Sequence, residues 1–181
     1  DYNKNGPNNI EAQAIAEMAG RKAPREKELE EAVLGALMLE KDAYTIVCDL
    51  LKPESFYEPE NQVIYEAIQH LGASQQPIDM LTVTERLRLD GNLDKAGGAL
   101  RITELTTRVT SAAHVEFHSR IISQTHLARE LISFSARLAQ MAFAESNDVD
   151  ALLQESEGTP VINSNSNSQK ELALSHPVTP L

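Results

Sequence analysis

The sequence predicts an all-α fold, in which a small globular helical head is followed by a two-helix antiparallel hairpin. Two observations favour this fold class. Residues 26–110 hold five short segments with helical periodicity, joined by brief turns rich in glycine and proline. Residues 112–146 contain neither glycine nor proline and abound in helix-favouring residues, which predicts one long helix. Short helices joined by tight turns bury their apolar faces against one another.

The composition limits both the core and the binding partners. Of 181 residues 41% are hydrophobic, but tryptophan is absent and only 4% are aromatic, so the core must consist mainly of Leu, Ile, Val and Ala. The net charge is -11 and Lys and Arg form no large cluster, which argues against direct binding to nucleic-acid phosphates. No apolar run approaches the length of a membrane span, and no signal peptide is evident. We therefore expect a cytoplasmic protein without membrane association.

A flexible N-terminal arm, residues 1–25, precedes the predicted head, residues 26–110. The first helix of the head ends near Leu39, and Asp42 is placed to cap the second. The buried side of the second helix is predicted to consist of Ile46, Val47, Leu50 and Leu51. Cys48, the single cysteine, lies in the same apolar run, so we expect it to be buried and reduced.

Three further helices complete the head, and each has a recognisable start. Phe56 and Tyr57 are predicted to fill a corner before the third helix, and Pro59 suits the first turn of that helix. Asp79 is an N-cap for the fourth helix. The pair of glycines that begins with Gly97 opens the fifth.

The long helix is predicted to be apolar in two directions along its length. Near its start, the apolar side consists of Val115, His118, Ile121 and Ile122. Further along, apolar residues step by four and three, as in the seam of a coiled coil: Leu127, Leu131, Phe134, Leu138 and Met141. A second line, of mostly small residues that includes Ile132, lies beside this seam. The opposite half of the helix is predicted to be polar, formed by Arg129, Glu130, Ser133, Arg137 and Gln140.

A short break follows the long helix at Asn147-Asp148, with an N-cap candidate, and a further apolar pattern begins that includes Leu152. These features predict a helical hairpin over residues 111–157 and a low-complexity tail or linker over residues 158–181. A hairpin with two apolar sides is typical of a domain that associates with another protein chain. A helix buried on both sides within one bundle would show the same pattern, so this alternative stays open.

The sequence carries no pattern that predicts catalysis. The phosphate-binding motif G-x-x-x-x-G-K-[ST] is absent, and no nucleophile and base can be paired from their spacing. His114 and His118 stand four residues apart, a spacing that can place two metal ligands on one side of a helix, but no third ligand is evident. We therefore predict a chain that is not an enzyme and holds no metal or cofactor.

The order of several short motifs resembles the N-terminal domain of the bacterial replicative DNA helicase, the DnaB family. The motifs are LEEAVLGA at 29–36, LKP at 51–53, SFY at 55–57, IYEAI at 64–68, PID at 77–79, TVTE at 82–85, GG at 97–98, Leu105, SAA at 111–113 and ARELI at 128–132. The similarity extends over residues 24–157. The sequence departs from the family at Asn61, where a histidine is common, and at Phe117-His118, where two aromatic residues are usual.

The resemblance implies a non-catalytic domain that forms a collar on a replicative helicase. The hairpins pair between subunits, as dimers and as a larger ring in the full-length parent. The collar offers a docking surface to the C-terminal domain of primase and, in some lineages, to helicase loaders. ATP and Mg²⁺ are implied only for the motor domain, which this sequence lacks. The residues expected at the protein interface are Leu127, Leu131, Ile132, Phe134, Leu138, Met141 and Leu152.

Two other functions are consistent with an all-α head and hairpin. The first is the helicase-binding C-terminal domain of primase, which would be encoded beside zinc-binding and polymerase domains. The second is a small all-α metal-binding protein that uses His114 and His118.

Overall fold

The computed structural model describes residues 13–15, 17, 20–109 and 111–143. The α-helices, in chain order, are α1 (Lys27–Leu39), α2 (Ala43–Val47), α3 (Pro59–Ala73), α4 (Met80–Leu89), α5 (Gly98–Arg108) and α6 (Val115–Phe143). A single 3-10 turn, Pro53–Ser55, lies between α2 and α3, and residues 13–15 are also helical. The described residues contain no β-strand, so the predicted all-α class is confirmed.

Three helices of the head begin at residues that local chemistry favours, whereas Asp42 precedes α2 as predicted but its side chain makes no capping hydrogen bond. The Asp79 carboxylate accepts hydrogen bonds from the backbone N–H groups of Leu81 (2.8 Å) and Thr82 (2.9 Å), while the Asp79 N–H donates to Thr82 Oγ1 (2.9 Å). This reciprocal capping box fixes the start of α4. Pro59 occupies the first turn of α3, and Gly97, with φ of +88°, provides the left-handed turn before α5.

The core of the head lies where α1 packs against α3 and α5. A Cβ atom at Gly35 would lie 2.3 Å from the Leu105 carbonyl oxygen, so the backbones of α1 and α5 approach more closely than any side chain allows. The large apolar side chains of this core are almost fully buried: Val33, Leu34, Leu37, Ile64, Ile68, Val83, Leu87, Ile102 and Leu105. Leu, Ile and Val dominate the core, as the composition predicts.

The second helix differs from the prediction. It ends at Val47, so helical periodicity does not extend to Leu51. Val47 and Leu51 are buried, but Ile46 is exposed, contrary to its predicted place in the apolar side. Cys48 is half-buried rather than buried, and its Sγ lies 3.5 Å from the Thr45 carbonyl oxygen.

The chain divides into two compact units, Asp1–Glu130 and Leu131–Leu181, so the boundary falls within α6. The predicted second helix of the hairpin and the tail of residues 158–181 lie outside the described residues. The division into arm, head, hairpin and tail stays a prediction. None of the described helices is both long enough and apolar enough to span a bilayer.

Candidate interaction surface

One side of α6 packs inward within the first unit, and its residues recur at steps of four and three. Val115, Ser119 and Ile122 are buried, His126 is half-buried, and Arg129 has no exposed surface. The apolar start of the long helix was predicted correctly through Val115 and Ile122. The inward stripe then continues to His126 and Arg129, and it does not include Leu127 and Leu131 of the predicted seam.

Arg129 corrects the sequence prediction that placed it on the polar, outward half of the helix. Its guanidinium donates hydrogen bonds to the carbonyl oxygens of Pro24 (3.0 Å) and Ser55 (2.8 Å). A planar guanidinium can serve two such acceptors at once, which is why burial of this charge is tolerated. Ser133, predicted on the same polar half, is likewise fully buried. Both corrections arise because hydrophobic periodicity alone does not detect a polar side chain that is satisfied inside the protein.

Glu30 is a buried acid whose charge interacts with that of Arg129. Its carboxylate accepts hydrogen bonds from the backbone N–H groups of Tyr57 (2.6 Å) and Glu58 (3.3 Å) and from Asn61 Nδ2 (2.9 Å). Glu30 thus caps the start of α3 from another helix and places negative charge at the positive end of that helix. Burial raises the pKa of Glu30, although the hydrogen bonds and the charge of Arg129 act in the opposite direction.

Tyr57 links this polar network to the N-terminal segment. The guanidinium carbons of Arg25 and Arg129 lie 5.6 Å and 5.5 Å from the centre of the Tyr57 ring. The Tyr57 hydroxyl donates to Gln13 Oε1 at 3.1 Å. The last residues of the predicted arm are therefore held against the head.

A group of ion pairs lies beside this polar network and joins α1 to α5. The Glu31 carboxylate accepts from Arg101 (3.0 Å) and from Arg108 (2.9 Å). Arg101 also donates to Asn61 Oδ1 at 3.3 Å, which connects this group to Glu30. Arg108 is mostly exposed, so its pair with Glu31 contributes less than the buried contacts do.

The outward side of α6 is apolar at several positions. Phe117 is 63% exposed, Leu127 is 46% exposed and Leu131 is 45% exposed. At 100° per residue, Leu127 lies about 200° around the helix from Arg129, on nearly the opposite side. A large apolar side chain in water is not unusual by itself, but a series of them along one helix marks a candidate interaction surface.

The comparisons with known proteins agree with this architecture. The family described as the DnaB-like helicase N terminal domain matches residues 22–124. The chain belongs to the DnaB family. It is 43% identical over 144 residues to the replicative DNA helicase DnaB of Rhodothermus marinus, an alignment that covers 80% of this chain and 15% of that protein. It is 34% identical over 139 residues to the replicative DNA helicase DnaC of Bacillus subtilis, which covers 77% of this chain and 31% of the relative. The chain thus spans less than a third of either relative.

Solved structures share the fold of this DnaB-family chain. The crystal structure of the N-terminal domain of DnaB helicase from Mycobacterium tuberculosis superposes with a TM-score of 0.71 at 32% identity, covering 76% of this chain and 96% of that one. A second structure, titled as a DnaB-like replicative helicase and its interactions with primase, has a TM-score of 0.64 at 21% identity. It covers 86% of this chain and 36% of the neighbour, and it supports the fold.

The interface residues predicted for this DnaB-family chain differ in exposure. Leu127 and Leu131 are exposed, whereas Phe134 is buried already in the single chain. Ile132, Leu138 and Met141 are half-buried, and Leu152 lies outside the described residues. The assignment of these seven residues to an interface stays a prediction. Among the six that the structure describes, Leu127 and Leu131 are the most exposed to solvent.

The sequence prediction missed the polar residues that organise this DnaB-family domain. A signal for Arg129 was present, because the steps from Val115 through Ile122 lead to it at helical spacing. No comparable local signal marks Glu30, since its partners lie 27 to 31 residues away.

His114 and His118, the pair considered for metal binding, have ring centroids 6.1 Å apart. Within the described part of the chain, no group of three His, Cys, Asp or Glu side chains is arranged to hold a metal ion. A two-residue site of this kind has too few ligands for a structural metal.

Proposed function

We propose that this chain is a non-catalytic oligomerisation and primase-docking domain of a replicative DNA helicase. In this proposal α6 and the predicted second hairpin helix pair between subunits, as a dimer and as a ring in the full-length protein. ATP hydrolysis with Mg²⁺ is assigned to a separate motor domain, since this sequence has no phosphate-binding motif. The outward apolar side of α6 is the observation that carries the proposal.

The exposure of α6 supports self-association. Leu127 and Leu131 lie one helical turn apart, and both keep nearly half of their surface in water. Covering such side chains with those of a second subunit removes apolar surface from water, which is the main favourable term in association. Apolar residues spaced by three and four are also the pattern that helices use to pair.

The primase-docking part of the proposal has two supports. A structural neighbour with the same fold is titled for its interactions with primase. The net charge of -11 favours a protein partner over nucleic-acid phosphate. A helicase loader is a further partner that the family membership suggests.

Family membership favours this function over the two alternatives. The named relatives are replicative helicases rather than primases, which disfavours the helicase-binding domain of primase. A metal-binding protein built on His114 and His118 is disfavoured by the arrangement of the described ligands. Neither alternative has an observation of its own in its favour.

Sedimentation velocity over a range of concentrations tests self-association. We expect the wild-type chain to form dimers or larger species and Leu127→Asp to weaken them at least about tenfold, because a carboxylate would be buried in an apolar contact. Leu81→Asp is the matched control, since Leu81 is 73% exposed on α4. A wild-type chain that stays monomeric at every concentration would contradict this part of the proposal.

Calorimetric titration with the C-terminal domain of the cognate primase tests docking separately. We expect saturable binding to the wild-type chain and to Leu81→Asp. Absence of binding to a wild-type chain that does self-associate would refute docking and leave oligomerisation standing.

A further inference from the structure

Arg129 lies inward where hydrophobicity alone would place a leucine. Of the two apolar residues just before it, Leu127 is exposed and Ala128 is half-buried, whereas Arg129 has no exposed surface. Buried Val115 and Ile122 orient the first half of α6. Beyond Ile122, however, the inward side carries a charged residue, and the hydrophobic effect would favour burial of Leu127 with Arg129 in water. Another interaction must therefore set the orientation of this part of the helix.

The contacts of Arg129 supply that interaction. The two carbonyl groups that it serves belong to Pro24 and Ser55, which are 105 and 74 residues away in the chain. Both acceptors lie outside the α-helices, in the N-terminal segment and at the end of the 3-10 turn. Rotating α6 would break both hydrogen bonds and leave these acceptors without the donor.

The surroundings of the guanidinium strengthen this preference. It lies over the ring of Tyr57, and it is attracted to the buried carboxylate of Glu30. Rotation would take this cation away from both the aromatic ring and the buried acid, so both attractions act against the rotated arrangement. A buried polar group can specify one packing arrangement even where an apolar residue would be equally stable.

We propose that Arg129 is a positioning residue that fixes the rotation of α6 beyond Ile122 and so holds Leu127 outward for association with a second subunit. The functional half of this statement rests on the proposed oligomerisation. The geometric half does not, because it concerns the single chain.

Thiol labelling of the full chain tests the geometric half. Single cysteines are placed at the outward position, Leu127→Cys, or at the inward position, His126→Cys, with Cys48→Ser in both. Labelling with a maleimide is measured at a concentration where the chain is monomeric. We expect position 127 to react faster than position 126. We expect Arg129→Met to reduce this rate ratio about tenfold, the size that fits the loss of hydrogen bonds to one buried and one partly buried carbonyl.

Arg120→Met is the matched control, since Arg120 lies on the same helix but is exposed and pairs with Glu116. It should leave the labelling ratio unchanged. Arg129→Lys keeps the charge but cannot serve both carbonyls as a guanidinium does, so its ratio should be intermediate. An unchanged ratio in Arg129→Met overturns the proposal. If that variant does not fold, the lysine variant decides, and an unchanged ratio there also overturns it.

Self-association of the same variants tests the functional half. Arg129→Met should weaken it about as much as Leu127→Asp does, although Arg129 is buried in the single chain. A lowered labelling ratio with unchanged self-association overturns the link to oligomerisation alone. If the wild-type chain does not associate, the proposed function fails while the labelling still decides whether Arg129 positions the helix.

Discussion

The head and the long helix α6 are held by different kinds of contact. In the head, α1 meets α3 and α5 through fully buried Leu, Ile and Val side chains. Further along α6, within the first unit, the inward contact is made by Arg129, which donates hydrogen bonds to backbone carbonyl groups. Apolar burial provides most of the stability of a domain, whereas directional hydrogen bonds determine orientation. The difference leaves the apolar side of α6 available for a partner.

The strongest way to break this comparison is to truncate a leucine in each region. Leu34→Ala in the core of the head should lower the free energy of unfolding by about 3 kcal/mol, because it opens a cavity. Leu127→Ala on α6 should change the stability of the monomer by much less, about 0.5 kcal/mol, because nearly half of the residue is already in water. Urea denaturation of dilute protein measures both. Equal losses would mean that Leu127 is part of a core.

A second prediction compares two arginines on the same helix. Arg129→Ala should destabilise the chain by about 2 kcal/mol, since one buried and one partly buried carbonyl lose their donor and Glu30 loses the influence of an opposite charge. Arg120→Ala removes only an exposed pair with Glu116 and should cost less than about 0.5 kcal/mol. The same denaturation experiment measures this difference. Similar small values for both would show that the buried contacts of Arg129 contribute little.

The smallest expected effect is a dependence of stability on pH at His126. Burial lowers the pKa of His126 below its ordinary value of 6.5, against the opposing influence of Glu130. The unfolded chain then binds a proton at this side chain more readily than the folded chain does. Stability should therefore fall as the pH drops through 6.5 towards the folded pKa. The charges of Arg129 and Lys52 also lower the pKa of His126 and that of Glu54 raises it, so these influences partly cancel.

Replacing His126 with glutamine should flatten the pH profile of stability in this range. The comparison of this variant with the wild-type chain is needed because Glu30 makes stability depend on pH in the opposite direction. Its pKa is raised above 4.5, so protonation favours the folded state and its contribution is lost as the pH rises through the folded pKa. Thermal melts of both chains at pH 7 and pH 5.5 measure the difference. An identical drop in both chains would assign the pH dependence to other groups.

The head could be predicted from the sequence because its signals are local. Asp79, Pro59 and Gly97 each act within a few residues, so capping and turn chemistry place their helices correctly. Ile46 was misplaced because α2 ends earlier than the apolar pattern suggests. Hydrophobic periodicity found the apolar side of α6 but assumed that the polar side faces solvent.

The burial of Arg129 was not predicted because the groups that accept its hydrogen bonds are distant in the chain. The acceptors for Arg129 are backbone carbonyls at Pro24 and Ser55, and a backbone carbonyl has no signature in sequence. Glu30 has no such signature either, and only its hydrogen bonds to distant residues show that it is a buried cap of α3. A buried polar residue is recognised from sequence only when its partners are also known.

Thiol reactivity at position 127 as a function of protein concentration tests the central claim most directly. In the Cys48→Ser background, Leu127→Cys should react quickly when the chain is dilute and become protected as the concentration rises, because a second subunit covers it. Protection already in dilute solution would place residue 127 inside the single chain, and reactivity independent of concentration would mean that no second subunit binds there. Either result would contradict the account.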